Sequence, residues 1–331
     1  MKKHYSIPVF VPHLGCQNEC VFCDQEKITG QTGGFDEGAV RRTIEKFLGI
    51  IKNRIGINPV GTEIAFFGGS FTGLKREHMT RLLEIAGGYM ERCEMIGGIR
   101  VSTRPDCISP EIVDILLRYN VKSVELGIQS MSDEVLAACK RGHTAKDTKK
   151  ACGAIKSAGL QLTGQMMLGL PKSSREIDIK TAEEMADLGV GSARVYPTVV
   201  LQGTRLYSMY KSGEYEPITL DEAVFRAKEV KKVFDKNNIK ILRMGLCASE
   251  NINTRNCIGP YHPAFGELVE GELIYDDIKS MGDNPLVVRA NKKFMSKVAG
   301  HGGKNAKRLK NVKNVKIIED NSVESYETCI I

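Results

Sequence analysis

The 331-residue sequence contains no run of the ~18 consecutive apolar residues that a membrane span needs. A spanning helix is therefore excluded by length alone. The opening stretch MKKHYSIPVFVPHLGC starts with a basic pair, but Pro8, Pro12 and His13 interrupt its apolar residues, so a cleavable signal sequence is not expected. No repeat longer than one strand–helix unit and no low-complexity segment occurs, which excludes solenoid and disordered classes. Ten cysteines are spread too thinly for the disulfide framework of a small secreted chain, so a reducing, cytoplasmic setting is expected. One region lacks acid altogether. From Arg289 to Lys316 there are ten Lys or Arg and no Asp or Glu. The net charge of +7 is therefore concentrated in that segment, and a polyanionic partner is the function class it suggests.

What remains is α/β in pattern. Strand-like runs SIPVFVPHL, TEIAFFGG, GIRVSTRP, SVELGIQS, QLTGQMMLGLP and ARVYPTVVL alternate with stretches of helical spacing, in which apolar residues recur three and four apart, as at Val113, Leu116 and Leu117. Ser109 and Asp133 stand where helix caps belong, and Gly159 and Gly189 where helices stop. Six β-then-α units in succession predict a parallel sheet, most simply a partial or full parallel (β/α) barrel; a flat doubly wound sheet is the alternative. The expected division is a core barrel over residues 1–249, an irregular extension covering the barrel over 250–285, and a small basic α+β segment over 286–331 that reads strand, helix, turn, helix, strand.

Cys16, Cys20 and Cys23 form a C-x3-C-x2-C arrangement in VPHLGCQNECVFCDQ, directly after the first strand. In parallel α/β folds that position is the C-terminal mouth of the sheet, where active sites lie. Structural zinc takes four protein ligands, so zinc would need a further ligand such as His13. Iron–sulfur clusters are held by closely spaced thiolates, and three of them on a [4Fe–4S] cluster leave one iron open to an outside ligand.

With Phe22 before the last cysteine, this loop resembles that of the radical S-adenosylmethionine (radical SAM) enzymes. The resemblance implies a [4Fe–4S] cluster on Cys16, Cys20 and Cys23, and AdoMet chelated to the open iron. It also implies reductive cleavage of AdoMet to a 5′-deoxyadenosyl radical, an electron donor such as flavodoxin or ferredoxin, and a barrel fold. By the same resemblance Phe22 belongs to the cofactor site, and Gly68 and Gly69 of FFGGSFTGL meet the methionyl group. Gln129 of VELGIQS and Arg141 of CKRGHT hold the ribose and carboxylate. Gln165 of QMMLGLP passes the adenosine, although relatives often carry Asp or His there. Leu168 and Leu170 belong either to the adenine site or to the barrel core.

Over residues 5–250 the phrases FFGGSFTG, STRPD, VELGIQS and RGHT look most like the radical domain of the Elongator catalytic subunit, and more distantly like oxygen-independent coproporphyrinogen oxidase. The first likeness implies a tRNA substrate. No acetyltransferase domain is expected in this chain, so a stand-alone relative is the reading. The alternatives are an enzyme of porphyrin or other small-molecule metabolism, and a non-catalytic iron–sulfur or haem-handling relative. In the basic segment, Gly300, His301, Gly302 and Gly303, followed by Lys304 and Lys307, resemble the GxxG loop of KH domains, which implies RNA contact there. Cys247 and Cys257 are candidates for an auxiliary cluster, and Tyr261 and His262 for relays at the barrel mouth. Cys93, Cys107, Cys139 and Cys152 read as packing.

Overall fold

The computed structural model describes residues 5–11, 15–16, 20–24, 36–53, 61–248, 252–281, 286–312 and 315–330. His13 lies outside them, and with it the fourth ligand of the zinc alternative. Seven strands run in sequence order across one parallel sheet: β1 (Tyr5–Val11), β2 (Thr62–Gly68), β3 (Ile96–Thr103), β4 (Val121–Gln129), β5 (Gln161–Leu168), β6 (Ser192–Pro197) and β8 (Lys240–Met244). The sheet curls into a half barrel, the partial form of the expected fold. Between β6 and β8, the two-residue strand β7 (Val200–Leu201) pairs antiparallel with β9 (Cys257–Ile258).

Helices α1 (Glu37–Lys52), α2 (Arg76–Arg92), α3 (Pro110–Arg118), α4 (Asp133–Ala138), α5 (Ala145–Ser157), α6 (Arg175–Asp187), α7 (Arg205–Lys211) and α8 (Leu220–Lys236) follow the strands. Alternation along each strand sorts residues onto two faces. Val9, Phe66, Val101, Val124 and Val195 pack with helix residues such as Ile44, Leu83 and Phe234 into the main core. Burying each such side chain contributes roughly 1.5–3 kcal/mol. Leu168 is in that core and Leu170 in a smaller cluster beside it. The opposite face is polar: Arg100, Glu125 and Arg194 stand on it, with the Arg194 Nε donating to Glu125 at 2.9 Å. A closed barrel fills its interior with branched apolar side chains; this half barrel keeps a charged one.

Residues 250–285, expected to be irregular, hold the 16-residue helix α9 (Phe265–Ser280). Phe265 and Val269 join the main core, whereas Ile274, Tyr275 and Ile278 join a second core with Leu286, Val288, Val298 and Leu309. One helix thus serves two cores. The basic segment forms β10 (Leu286–Ala290), α10 (Met295–Ala299), a glycine-rich turn at His301–Gly303, α11 (Lys304–Val312), β11 (Val315–Glu319) and β12 (Tyr326–Ile330). β10 is central, parallel to β11 and antiparallel to β12, a third strand beyond the two expected.

Candidate functional site at the mouth of the sheet

The thiol loop is seated by backbone contacts. Gly69 N–H donates to the Val11 carbonyl at 2.8 Å, tying the loop after β2 to the end of β1. Gly68 takes φ +106°, and a Cβ there would meet the Val11 oxygen at 2.7 Å, so only glycine fits. At Gly15 the approach is closer still: a Cβ would stand 1.9 Å from the Ser70 carbonyl oxygen. On the other side, Val21 is buried against Val135, Cys139 and Leu206, its N–H donates to the Cys139 carbonyl at 3.1 Å, and its carbonyl accepts from Leu206 N–H at 2.7 Å. Cys23 N–H closes a turn onto the Cys20 carbonyl at 3.0 Å, and Phe22 packs against the same small cluster.

The three thiols share this loop, yet among the described residues no group of three or more His, Cys, Asp or Glu side chains converges in metal-ligating geometry. Burial pushes the Cys16 thiol up. Burial and then the neighbouring Cys20 and Cys16 push the Cys23 thiol up to about 12. Cys16 and Cys23 are thus held as thiols; a bound metal centre would reverse that balance, because a coordinating thiol is deprotonated outright. Cys247 is exposed and Cys257 lies on β9, with no ligand group around either among the described residues.

Arg141 is 7% exposed and reaches the loop from the turn after α4. Its Nη1 donates to the Cys20 sulfur at 3.2 Å and its Nη2 to the Gly127 carbonyl at 2.7 Å, while its buried Nε has no partner. Among the described residues no carboxylate pairs with it. An uncompensated buried charge costs several kcal/mol, so this guanidinium is arranged for an anion. Gln129, 4% exposed, ends β4 in the left-handed region at φ +66°, and its buried Oε1 also lacks a partner. Gln165 stands beside Gly127 in the sheet register, with Arg194 on its other side.

Four residues of the site, Ser70, Arg104, Cys107 and His143, have no site role read from the sequence. Ser70 Oγ accepts from Arg104 N–H at 3.1 Å, contacts Thr103 Oγ1 at 3.2 Å and donates to the Cys107 sulfur at 3.6 Å, and the Ser70 backbone hydrogen-bonds Cys16. Cys107, read as packing, is therefore part of the hydrogen-bonded wall behind the first cysteine. Arg104 is held by Asp106 through two bonds of 2.9 and 2.8 Å. His143, with Nε2 at 3.3 Å from the Ile128 carbonyl, is pushed down to about 4 by burial and by the Arg141 charge. It is neutral at pH 7, which leaves Arg141 without a competing cation on that side. Ser70 and His143 stood inside quoted phrases; only the fold shows what they touch.

In the basic segment, Gly302 and Gly303 have positive φ and open space, whereas Gly300 is packed against Asn305, whose Nδ2 donates to Gly271 O at 2.7 Å. His301 meets His262 edge-on, with ring centroids 4.9 Å apart, so His262 belongs to this contact. Lys304 pairs with Asp221 of α8 at 2.9 Å; Lys307 is exposed, with no ion-pair partner among the described residues. A cleft of about 340 Å³ beside the loop is lined by Phe225, Lys228, Lys304 and Arg308, among others.

Comparison with known proteins adds relatives to this geometry. A family model described as the Radical SAM superfamily matches residues 10–185, more than half of the chain, and one described as the Radical_SAM C-terminal domain matches residues 190–275. A tRNA uridine(34) acetyltransferase of Methanocaldococcus infernus is 37% identical over 139 residues, 41% of this chain and 26% of that protein. Elongator complex protein 3 of Saccharomyces cerevisiae is 26% identical over 247 residues, 64% of this chain and 44% of that protein. The solved structure of the archaeal Methanocaldococcus infernus Elp3 with an N-terminal deletion matches with a TM-score of 0.65 at 25% identity, covering 84% of this chain and 63% of that one. The chain spans between about a quarter and a half of the length of the first curated relatives it matches.

Proposed function

The chain belongs to the radical SAM superfamily, a family of enzymes that bind a [4Fe–4S] cluster and AdoMet, and from that premise we propose that it cleaves AdoMet reductively and acts on RNA, with tRNA as the substrate class. The residues suit both groups. Cys16, Cys20 and Cys23 lie on one loop at the mouth of the sheet and would supply three thiolates to a bound cluster. The buried guanidinium of Arg141 has no acidic partner among the described residues, as the carboxylate of AdoMet would supply, and the unpartnered Gln129 Oε1 can accept from a ribose hydroxyl. Gly68 and Gly69 stand at the end of β2, where the methionyl end would lie, and Gln165 and Phe22 belong to the same cofactor site. When bound, the cluster would supply the electron for reductive cleavage of AdoMet, which is the source of radical chemistry on the substrate.

The observation that carries this reading is the buried Arg141 at the Cys20 sulfur, without a carboxylate partner among the described residues. RNA as substrate rests on the relatives named for tRNA uridine and Elongator, and on the basic segment with its open Gly302 and Gly303. In this reading Gly300, His301, Gly302, Gly303, Lys304 and Lys307 form a backbone-clamping loop of the KH type, within the 286–331 unit that follows the 1–249 core and its 250–285 extension. The test is anaerobic reconstitution of wild type and Cys20→Ala. Wild type is expected to hold iron and sulfide and to bind AdoMet, and the variant to hold neither cluster nor turnover. Retained turnover in Cys20→Ala would sink the assignment.

A further inference from the structure

We propose that Arg141, beyond any contact with a bound carboxylate, raises the reduction potential of the cluster held by Cys16, Cys20 and Cys23, by donating a charge-assisted hydrogen bond to the Cys20 sulfur. The inference rests on the radical SAM reading above, and adds to it a residue that acts on the cluster through a ligand sulfur.

The geometry is specific. Nη2 is fixed at 2.7 Å from the Gly127 carbonyl, which leaves Nη1 at 3.2 Å from Cys20 Sγ. A guanidinium is a rigid planar fork, so anchoring one arm fixes the direction of the other. The charge is also uncompensated. Nearby Arg104 is neutralised by two hydrogen bonds to Asp106, and His143 is neutral, whereas Arg141 has no carboxylate partner among the described residues. At a site this buried the charge is screened far less than at the surface.

The consequence follows from the charge that reduction adds. A thiolate-bound cluster becomes more negative on taking up an electron, so a fixed cation and an N–H···S bond favour the reduced form. Hydrogen bonds to ligand sulfurs and local charge are among the factors that set such potentials. Arg141 is in this sense a positioning and tuning residue. Its unpartnered Nε remains available to a second anion, so one side chain serves the cluster sulfur and the cosubstrate.

The experiment is a potentiometric titration, followed by electron paramagnetic resonance, of the full chain reconstituted anaerobically and held free of AdoMet. Wild type, Arg141→Lys and Arg141→Met are compared, with iron content and circular dichroism confirming loading and fold. Arg141→Met should lower the reduced-to-oxidised ratio at the wild-type midpoint by about tenfold, equivalent to about 59 mV for one electron. Arg141→Lys, which keeps the charge without the fork, should fall between. If Arg141→Met holds no iron, Arg141→Lys decides alone: a lowered midpoint supports the assignment and an unchanged one overturns it. Midpoints that coincide while AdoMet affinity falls would show that Arg141 serves the cosubstrate only. A wild-type chain with no [4Fe–4S] signal would overturn the underlying reading and this inference with it.

Discussion

The guanidinium of Arg141 donates to the carbonyl of Gly127 at 2.7 Å, joining the turn after α4 to the last residues of strand β4. That bond brings an arginine twelve residues beyond Gln129 back to the end of the same strand. Gly127 makes room for both: a Cβ there would lie 3.1 Å from Arg141 Nη2 and 3.2 Å from Gln129 Nε2. Gly127→Ala should therefore displace the two side chains proposed to hold AdoMet and leave the fold intact. We expect AdoMet affinity in the reconstituted enzyme to fall roughly tenfold, the loss of about one charge-assisted hydrogen bond. Equilibrium dialysis with labelled AdoMet measures it; unchanged affinity would remove Gln129 and Arg141 from the cosubstrate site.

His143 makes stability depend on pH in a defined direction. Its folded value of about 4 lies below the ordinary 6.5, because burial and then the Arg141 charge disfavour the imidazolium. The unfolded chain therefore binds the proton more readily. Its contribution is fully present above pH 6.5 and is lost progressively as pH falls toward 4, about 3 kcal/mol across the window. Urea melts at pH 7 and pH 5 should show that slope in wild type and a shallower one in His143→Gln. Identical slopes would place His143 in solvent.

Asp178 organises the loop after β5. It is buried, accepts from Ser173 Oγ at 2.6 Å and Gly169 N–H at 3.1 Å, and is paired with Arg226 at 2.9 Å. Removing one member of a buried pair strands the other, at a cost of about 3–5 kcal/mol. Glu222 also pairs with Arg226, so Asp178→Ala should sit at the low end of that range. Denaturant unfolding measures it, and a loss below about 1 kcal/mol, the worth of an exposed pair, would contradict the arrangement.

For the basic segment, the double variant Gly302→Asp with Gly303→Asp adds negative charge at two positive-φ positions with open space around them, a conformation that Asp adopts more readily than most residues. Binding of tRNA should weaken by tenfold or more while the circular dichroism spectrum is unchanged. Lys307→Ala should lower the slope of log affinity against log salt by about one phosphate contact, roughly 0.7–0.9. Filter binding across a salt series tests both. A flat salt response in wild type would remove this segment from RNA recognition.

How much of this was legible in the sequence differs by element. The three thiols, six of the seven parallel strands and the order of the glycine, Gln129 and Arg141 motifs were readable, because close spacing and alternation are local. The seventh strand, Lys240–Met244, was not, since it is an edge strand with no clean buried face. Helix α9 was read as irregular because Phe265 and Val269 serve one core and Ile274 and Ile278 another, which leaves no single apolar stripe. Ser70, Gly127 and His143 are ordinary residues locally. Their roles come from register between strands far apart in sequence, which no local pattern carries.

The most direct test of the central claim is release of 5′-deoxyadenosine by the anaerobically reconstituted, dithionite-reduced chain, measured with intact and with RNase-treated total tRNA. The account predicts release that rises with intact tRNA and returns to the background rate after RNase. Release that is indifferent to tRNA would contradict RNA as the substrate, and no release at all would contradict the radical chemistry itself.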